Sequence, residues 1–121
     1  MADGFKILAQ ATLTNTEAAI YTVPTPSGDR FATRGNSQAV ISSIILCCTS
    51  GASVTYSIRV SKSGESNDPK QLIFNEQGIA ANETDVLSLG IGLVSGDSIS
   101  AEIGGSSTPV VQMNIFGTEA L

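Results

Sequence analysis

The run Ala39–Cys48 (AVISSIILCC) sets the strongest constraint on how this chain folds. A strand places successive side chains on opposite faces. One face of this run carries Ala39, Ile41, Ser43, Ile45 and Cys47, and the other carries Val40, Ser42, Ile44, Leu46 and Cys48. Both sets are apolar, so uninterrupted alternation predicts a strand buried on both faces. A small antiparallel domain has one core. The second face then needs a second cover, either another subunit or a loop of the same chain.

The rest of the chain reads as strands divided by turn clusters. Ile7–Leu13 places Ile7, Ala9, Ala11 and Leu13 together. Ala19–Val23 is a short run stopped by Pro24 and Pro26, and Thr25–Gln38 is a long polar loop. Val54–Val60 points Val54, Tyr56, Ile58 and Val60 inward and Thr55, Ser57, Arg59 and Ser61 outward. Thr49–Ser53 (TSGAS) before it reads as a hairpin-type turn. Gln71–Asn75 carries Leu72 and Phe74 on one side, and Glu83–Ile91 carries Leu87, Leu89 and Ile91 on one face. Val94–Asp97 (VSGD) is a compact turn. Ser98–Ile103 groups Ile99, Ala101 and Ile103, and Val110–Phe116 groups Val111, Met113 and Ile115. About eight strands at roughly ten-residue spacing, with no convincing helix, predict an all-β fold. The expected architecture is a single antiparallel β-sandwich over residues 1–121 with jelly-roll or related Greek-key connections.

Composition narrows the function classes. The chain has 121 residues, enough to bury a core without disulfide or metal. Its net charge of −5 argues against a nucleic-acid partner, and its six basic residues form no dense run. Only 14% of residues are charged, which fits a surface partly covered in an assembly. The N-terminal MADGFKILAQATLT has Asp3 and a broken apolar stretch, so it does not read as a secretory leader. No run approaches a membrane span, and no membrane partner is expected. Synthesis in a cytoplasm follows as the expectation.

Catalytic chemistry finds little to stand on. The chain has no His, so a Ser-His-Asp or Cys-His constellation is ruled out within one chain. Glu65 and Asp68 share a loop, and Glu83 and Asp85 share a strand face, but both pairs read as solvated carboxylates. No spaced acidic series of calcium-binding type is present. Cys47 and Cys48 are adjacent and read as reduced, small hydrophobes. Gly90–Asp97 (GIGLVSGD) lacks the Lys-Ser/Thr ending of a phosphate loop, so its glycines are assigned to tight turns and close sheet packing. No catalytic, cofactor or metal site is expected. Phe5 and Phe31 lie in polar surroundings, where an aromatic can anchor a partner.

The ordered pieces IYTVP (Ile20–Pro24), AVISSIILC (Ala39–Cys47), TYSIRVSKSG (Thr55–Gly64), LVSGDSI (Leu93–Ile99) and NIFGTEAL (Asn114–Leu121) together resemble small β-sandwich virion proteins of tailed bacteriophages, cyanophage-type ones especially. The resemblance implies a capsid decoration (cement) protein, often trimeric, bound outside the major capsid protein shell. It also admits a tail, baseplate or fibre component that binds host glycans. It carries over no catalytic residue. The long loop Pro24–Gln38 departs from the pattern and reads as an elaborated contact loop. On this reading Phe5, Phe31, Val40, Ile44 and Leu46 are the expected subunit or capsid interface.

Overall fold

The computed structural model describes residues 5–24, 37–106 and 108–120. Eight strands follow one another: β1 (Phe5–Leu13), β2 (Ala18–Thr22), β3 (Gln38–Cys48), β4 (Val54–Ser61), β5 (Leu72–Ile79), β6 (Thr84–Val94), β7 (Ser98–Gly104) and β8 (Val111–Ala120). Among the described residues there is no α-helix, only a 3-10 turn at Pro69–Gln71. Asp68 caps that turn by accepting the Lys70 N–H, and the buried Gln71 side chain returns to the Asp68 N–H.

Two four-stranded sheets result, ordered β1-β8-β3-β6 and β2-β7-β4-β5. Every pairing is antiparallel. The chain changes sheet at each connection except β4–β5, which is the order of a jelly-roll sandwich. The expected all-β, antiparallel, jelly-roll class is therefore the one observed. Thr49–Ser53 does not close a hairpin, because β3 and β4 lie in different sheets. The turn Val94–Asp97 likewise carries the chain from one sheet to the other. Gly96 sits there at φ +86, and the Asp97 carboxylate accepts the Val94 N–H at 3.0 Å.

The core lies between the sheets. Ile44, Leu46, Met113 and Ile115 from one sheet meet Tyr56, Ile58, Ile99 and Ile103 from the other. Each such aliphatic side chain contributes roughly 1.5–3 kcal/mol of burial. Val54, Tyr56 and Ile58 turn inward as their alternation predicts, as do Ile99, Ala101 and Ile103, and Val111, Met113 and Ile115.

Register shifts break the alternation elsewhere, and those in β3, β1 and β5 redirect side chains. In β3 the register shifts between Ile41 and Ser43, so Ala39 and Ile41 and then Ile44, Leu46 and Cys48 all reach the core. The two apolar faces expected of Ala39–Cys48 are thus spliced into one buried face. Gly117 lies where β8 crosses this bulge. A Cβ there would stand 2.0 Å from the Val40 carbonyl oxygen, so only glycine fits. In β1 the shift between Ile7 and Ala9 turns Ile7 outward, away from Ala9, Ala11 and Leu13. In β5 a further shift pairs Leu72 with Arg59 and Phe74 with Ile58, so the two no longer share a side.

Candidate interaction surface

The bulges decide what the outer face of the β1-β8-β3-β6 sheet shows. Its pairing aligns four rows of four residues. Phe5, Thr118, Val40 and Gly92 form the first row. Ile7, Phe116, Ser43 and Ser88 form the second. Gln10, Asn114, Ile45 and Val86 follow, and then Thr12, Gln112, Cys47 and Thr84. None of these sixteen residues carries a charge. Phe5 is 64% exposed, Val86 62%, Ile7 52% and Val40 49%. At ordinary strand spacings the face measures roughly 20 by 25 Å, about 500 Å². Half of its residues are Ser, Thr, Asn or Gln, so the apolar part, centred on Phe5, Ile7, Val40, Ile45, Val86 and Phe116, is smaller than that footprint.

Four of its polar residues bond to one another in pairs. Gln10 Nε2 donates to Asn114 Oδ1 at 2.6 Å, and Thr12 Oγ1 donates to Gln112 Oε1 at 2.6 Å. Burying this face under a partner therefore strands fewer polar atoms than its composition suggests, which lowers the desolvation penalty.

The opposite outer face, on β2-β7-β4-β5, is built from other chemistry. Thr55, Ser57, Arg59 and Ser61 of β4 lie beside Ser98, Ser100, Glu102 and Gly104 of β7. Arg59 Nη1 stands 3.5 Å from Glu102 Oε1, and the Arg59 Nε is buried without a partner among the described residues. Ser57 is buried on this outward side because β5 bends over it, with the Glu76 N–H donating to its hydroxyl at 2.9 Å. A polar hollow of about 440 Å³ lies here, lined by Thr55, Arg59, Leu72, Asn75, Glu76 and Glu102 among others.

Two tyrosines tie the sheets together from within. Tyr56 of β4 donates to Asp85 of β6 at 2.9 Å, and Tyr21 of β2 donates to Glu119 of β8. Lys6 of β1 joins the second contact, its Nζ 2.9 Å from Glu119. Burial raises both phenols above their ordinary range, and the neighbouring carboxylates add to the shift. Burial pushes Glu119 upward as well, but the Tyr21 hydroxyl and the Lys6 ammonium outweigh it and hold the carboxyl below its usual value. Asp85 is therefore a structural acceptor and not half of a solvated pair with Glu83.

The expected interface residues divide. Phe5 and Val40 stand exposed in the uncharged face. Ile44 and Leu46 are fully buried in the chain's own core, because the β3 bulge turns them inward. Phe31 lies outside the described residues, as does most of the loop Pro24–Gln38. Sequence reading missed Ile7, Ile45, Val86 and Phe116. Only the strand order and the bulges bring these four to one surface. Cys48 is buried in the core and Cys47 points to the outer face, both as free thiols. Among the described residues no cluster of His, Cys, Asp or Glu has the arrangement to hold a metal ion.

No protein-family model matches the sequence, and no curated protein sequence gives a significant match. A solved structure shows a similar fold. A chain of the acid-stable capsid structure of the Helicobacter pylori bacteriophage KHP30 superposes with a TM-score of 0.51 at 12% identity. The match covers 100% of this chain and 94% of that one. A chain of the infectious bursal disease virus Gx strain gives a TM-score of 0.47 at 9% identity, covering 98% of this chain and 30% of that one.

Proposed function

We propose that this chain is a non-enzymatic virion structural protein of a phage. In this reading it is a decoration (cement) protein that binds the outer surface of the assembled capsid. It acts as a homo-oligomer, trimeric if it follows the proteins its sequence resembles, and bridges major capsid protein subunits. The observation that carries the reading is the uncharged outer face of β1-β8-β3-β6, with Phe5, Ile7, Val40 and Val86 exposed. A subunit laid on a shell buries such a face and removes its apolar side chains from water. The end-to-end likeness to a similar-sized chain of a phage capsid structure supports the same reading. So does the low charge content of 14%.

The mechanism is adhesion. A subunit that binds the assembled shell but not its free components stabilises the shell by mass action. The test adds the purified protein to particles assembled without it. The expected result is saturable co-sedimentation and a higher temperature of particle disruption. Absence of binding to shells, with binding to host-surface glycans instead, overturns this reading in favour of a tail, baseplate or fibre component.

A further inference from the structure

The edges of the two sheets are not alike. Unpaired strand edges are templates for other chains, and proteins blunt them with charges, bulges or short strands. β1 has Lys6 and a bulge, β2 is five residues long with a register shift, and β5 carries Glu76 at φ 51. β6 carries Asp85 at its start and shifts register against β3 at Leu89–Gly90, but its Val86–Val94 stretch has no charge. The strand runs eleven residues in unbroken in-out alternation, and no charged residue or proline lies between Asp85 and Asp97. On the other side of the sandwich β1 packs against β2, while no comparable contact joins β6 to β5. Leu87, Leu89 and Ile91 face the core from this open side and stay only half-buried.

The strand is also nearly its own mirror. Read outward from Gly90, Val86–Val94 (VLSLGIGLV) pairs Leu89 with Ile91, Ser88 with Gly92, Leu87 with Leu93, and Val86 with Val94. Gly90 and Gly92 have nothing within 4 Å of a would-be Cβ and do not adopt positive φ. The isolated fold therefore does not require glycine at either position. Glycine inside a strand marks a bulge or the close approach of another backbone; Gly90 lies at the register shift against β3, and Gly92 lies beyond it.

We infer that β6 is a self-association edge: it pairs antiparallel with β6 of a second copy about a twofold axis at Gly90. Such a contact is isologous, which a near-palindromic strand satisfies. It sets Val86 against Val94 of the second copy on the outer face and Leu89 against Ile91 on the inner one. It opposes no like charges. A strand of this length along a two-layer edge covers roughly 30 by 20 Å, about 1,200 Å² counting both copies, which reaches the size of a specific interface. Two sandwiches then share one eight-stranded sheet, and their uncharged faces become continuous. Twofold pairing gives a dimer where the resemblance implies a trimer. The inference stands apart from the capsid-binding proposal, because it is read on the purified protein alone.

The test is mass in solution by analytical ultracentrifugation, at concentrations up to roughly 0.1 mM. The wild-type chain is expected at twice 12.4 kDa. Gly90→Lys places two like charges at the axis and should weaken the dimer at least about ten-fold, with an unchanged circular dichroism spectrum. Val86→Lys and Val94→Glu should each weaken it several-fold, and the two together in one chain should recover it, since each Lys then faces a Glu. Phe5→Asp should leave the mass alone. A wild-type monomer or trimer overturns the inference. So does a dimer that survives Gly90→Lys, or one that Phe5→Asp dissolves and Gly90→Lys does not.

Discussion

The two outer faces of this sandwich come from the same number of strands and share one core, yet they present opposite chemistry. The β1-β8-β3-β6 face is uncharged and carries exposed Phe5, Ile7, Val40 and Val86. The β2-β7-β4-β5 face is lined with serines and threonines around the Arg59–Glu102 pair. The second is polar, and part of it, Ser57, Ser61 and Ser100, is already buried within the chain. The first gains by being covered. The difference teaches that the core accounts for the fold, while the proposed role in assembly rests on the asymmetry between the faces.

The largest expected effect tests which residues belong to the uncharged face at all. Leu46 lies inside, so Leu46→Asp buries an unpaired charge and should cost on the order of 4 kcal/mol or more. Chemical denaturation should find the variant largely unfolded. If it stays folded, the bulge in β3 is misassigned and Leu46 belongs outside. Gly117→Ala tests the same bulge through sterics and should destabilise by about 1–3 kcal/mol.

Next come charges placed on the two surfaces. Val40→Asp and Phe5→Asp should change chain stability by no more than about 0.5 kcal/mol. Both should lower binding to undecorated capsids at least about ten-fold, since a desolvated charge then has no partner. Thr22→Asp, on the polar face, should leave binding unchanged. Equal losses from the two faces remove the distinction between them.

Acid should separate the two tyrosine contacts. Glu119 has a folded-state pKa below its unfolded value, so the unfolded chain binds protons more readily as pH falls. Its contribution is fully present above the unfolded pKa and disappears as pH drops through the folded one. Denaturation midpoints should therefore fall with acid in the wild type, and less steeply in Glu119→Gln. The raised phenols act at the other end: an unfolded phenol ionises first, so stability falls as pH climbs past the ordinary tyrosine value near 10. Tyr56→Phe should flatten part of that alkaline limb. The smallest effect belongs to the polar face itself. Arg59→Met should alter stability by less than about 1 kcal/mol, because the ion pair is long and partly solvated.

Alternation in the sequence made most of this fold legible. Tyr56, Ile58, Ile99, Ala101, Ile103, Met113 and Ile115 are buried where their period places them. It failed at Ile7, at Ser42–Ser43 and between Leu72 and Phe74, where one extra residue in a strand inverts every side chain beyond it. No residue type announces such a bulge; Gly117 signals the one in β3 only once β8 is known to cross it. Turn residues at Thr49–Ser53 declared a reversal but not that the chain changes sheet there. The uncharged face was the least legible part. Ile7, Ile45, Val86 and Phe116 come from four strands, and strand order alone makes them neighbours. Phe5 was picked out as an aromatic in polar surroundings, and Val40 as part of an uninterrupted apolar face whose other members, Ile44 and Leu46, the bulge turns inward.

Electron cryomicroscopy of the virion that contains this chain tests the central claim most directly. The account predicts density for the sandwich on the capsid exterior, with the Phe5–Ile7–Val40–Val86 face against capsid subunits and the Arg59–Glu102 face toward solvent. Density confined to the tail, or a sandwich lying on the shell with its serine-rich face inward, would contradict it.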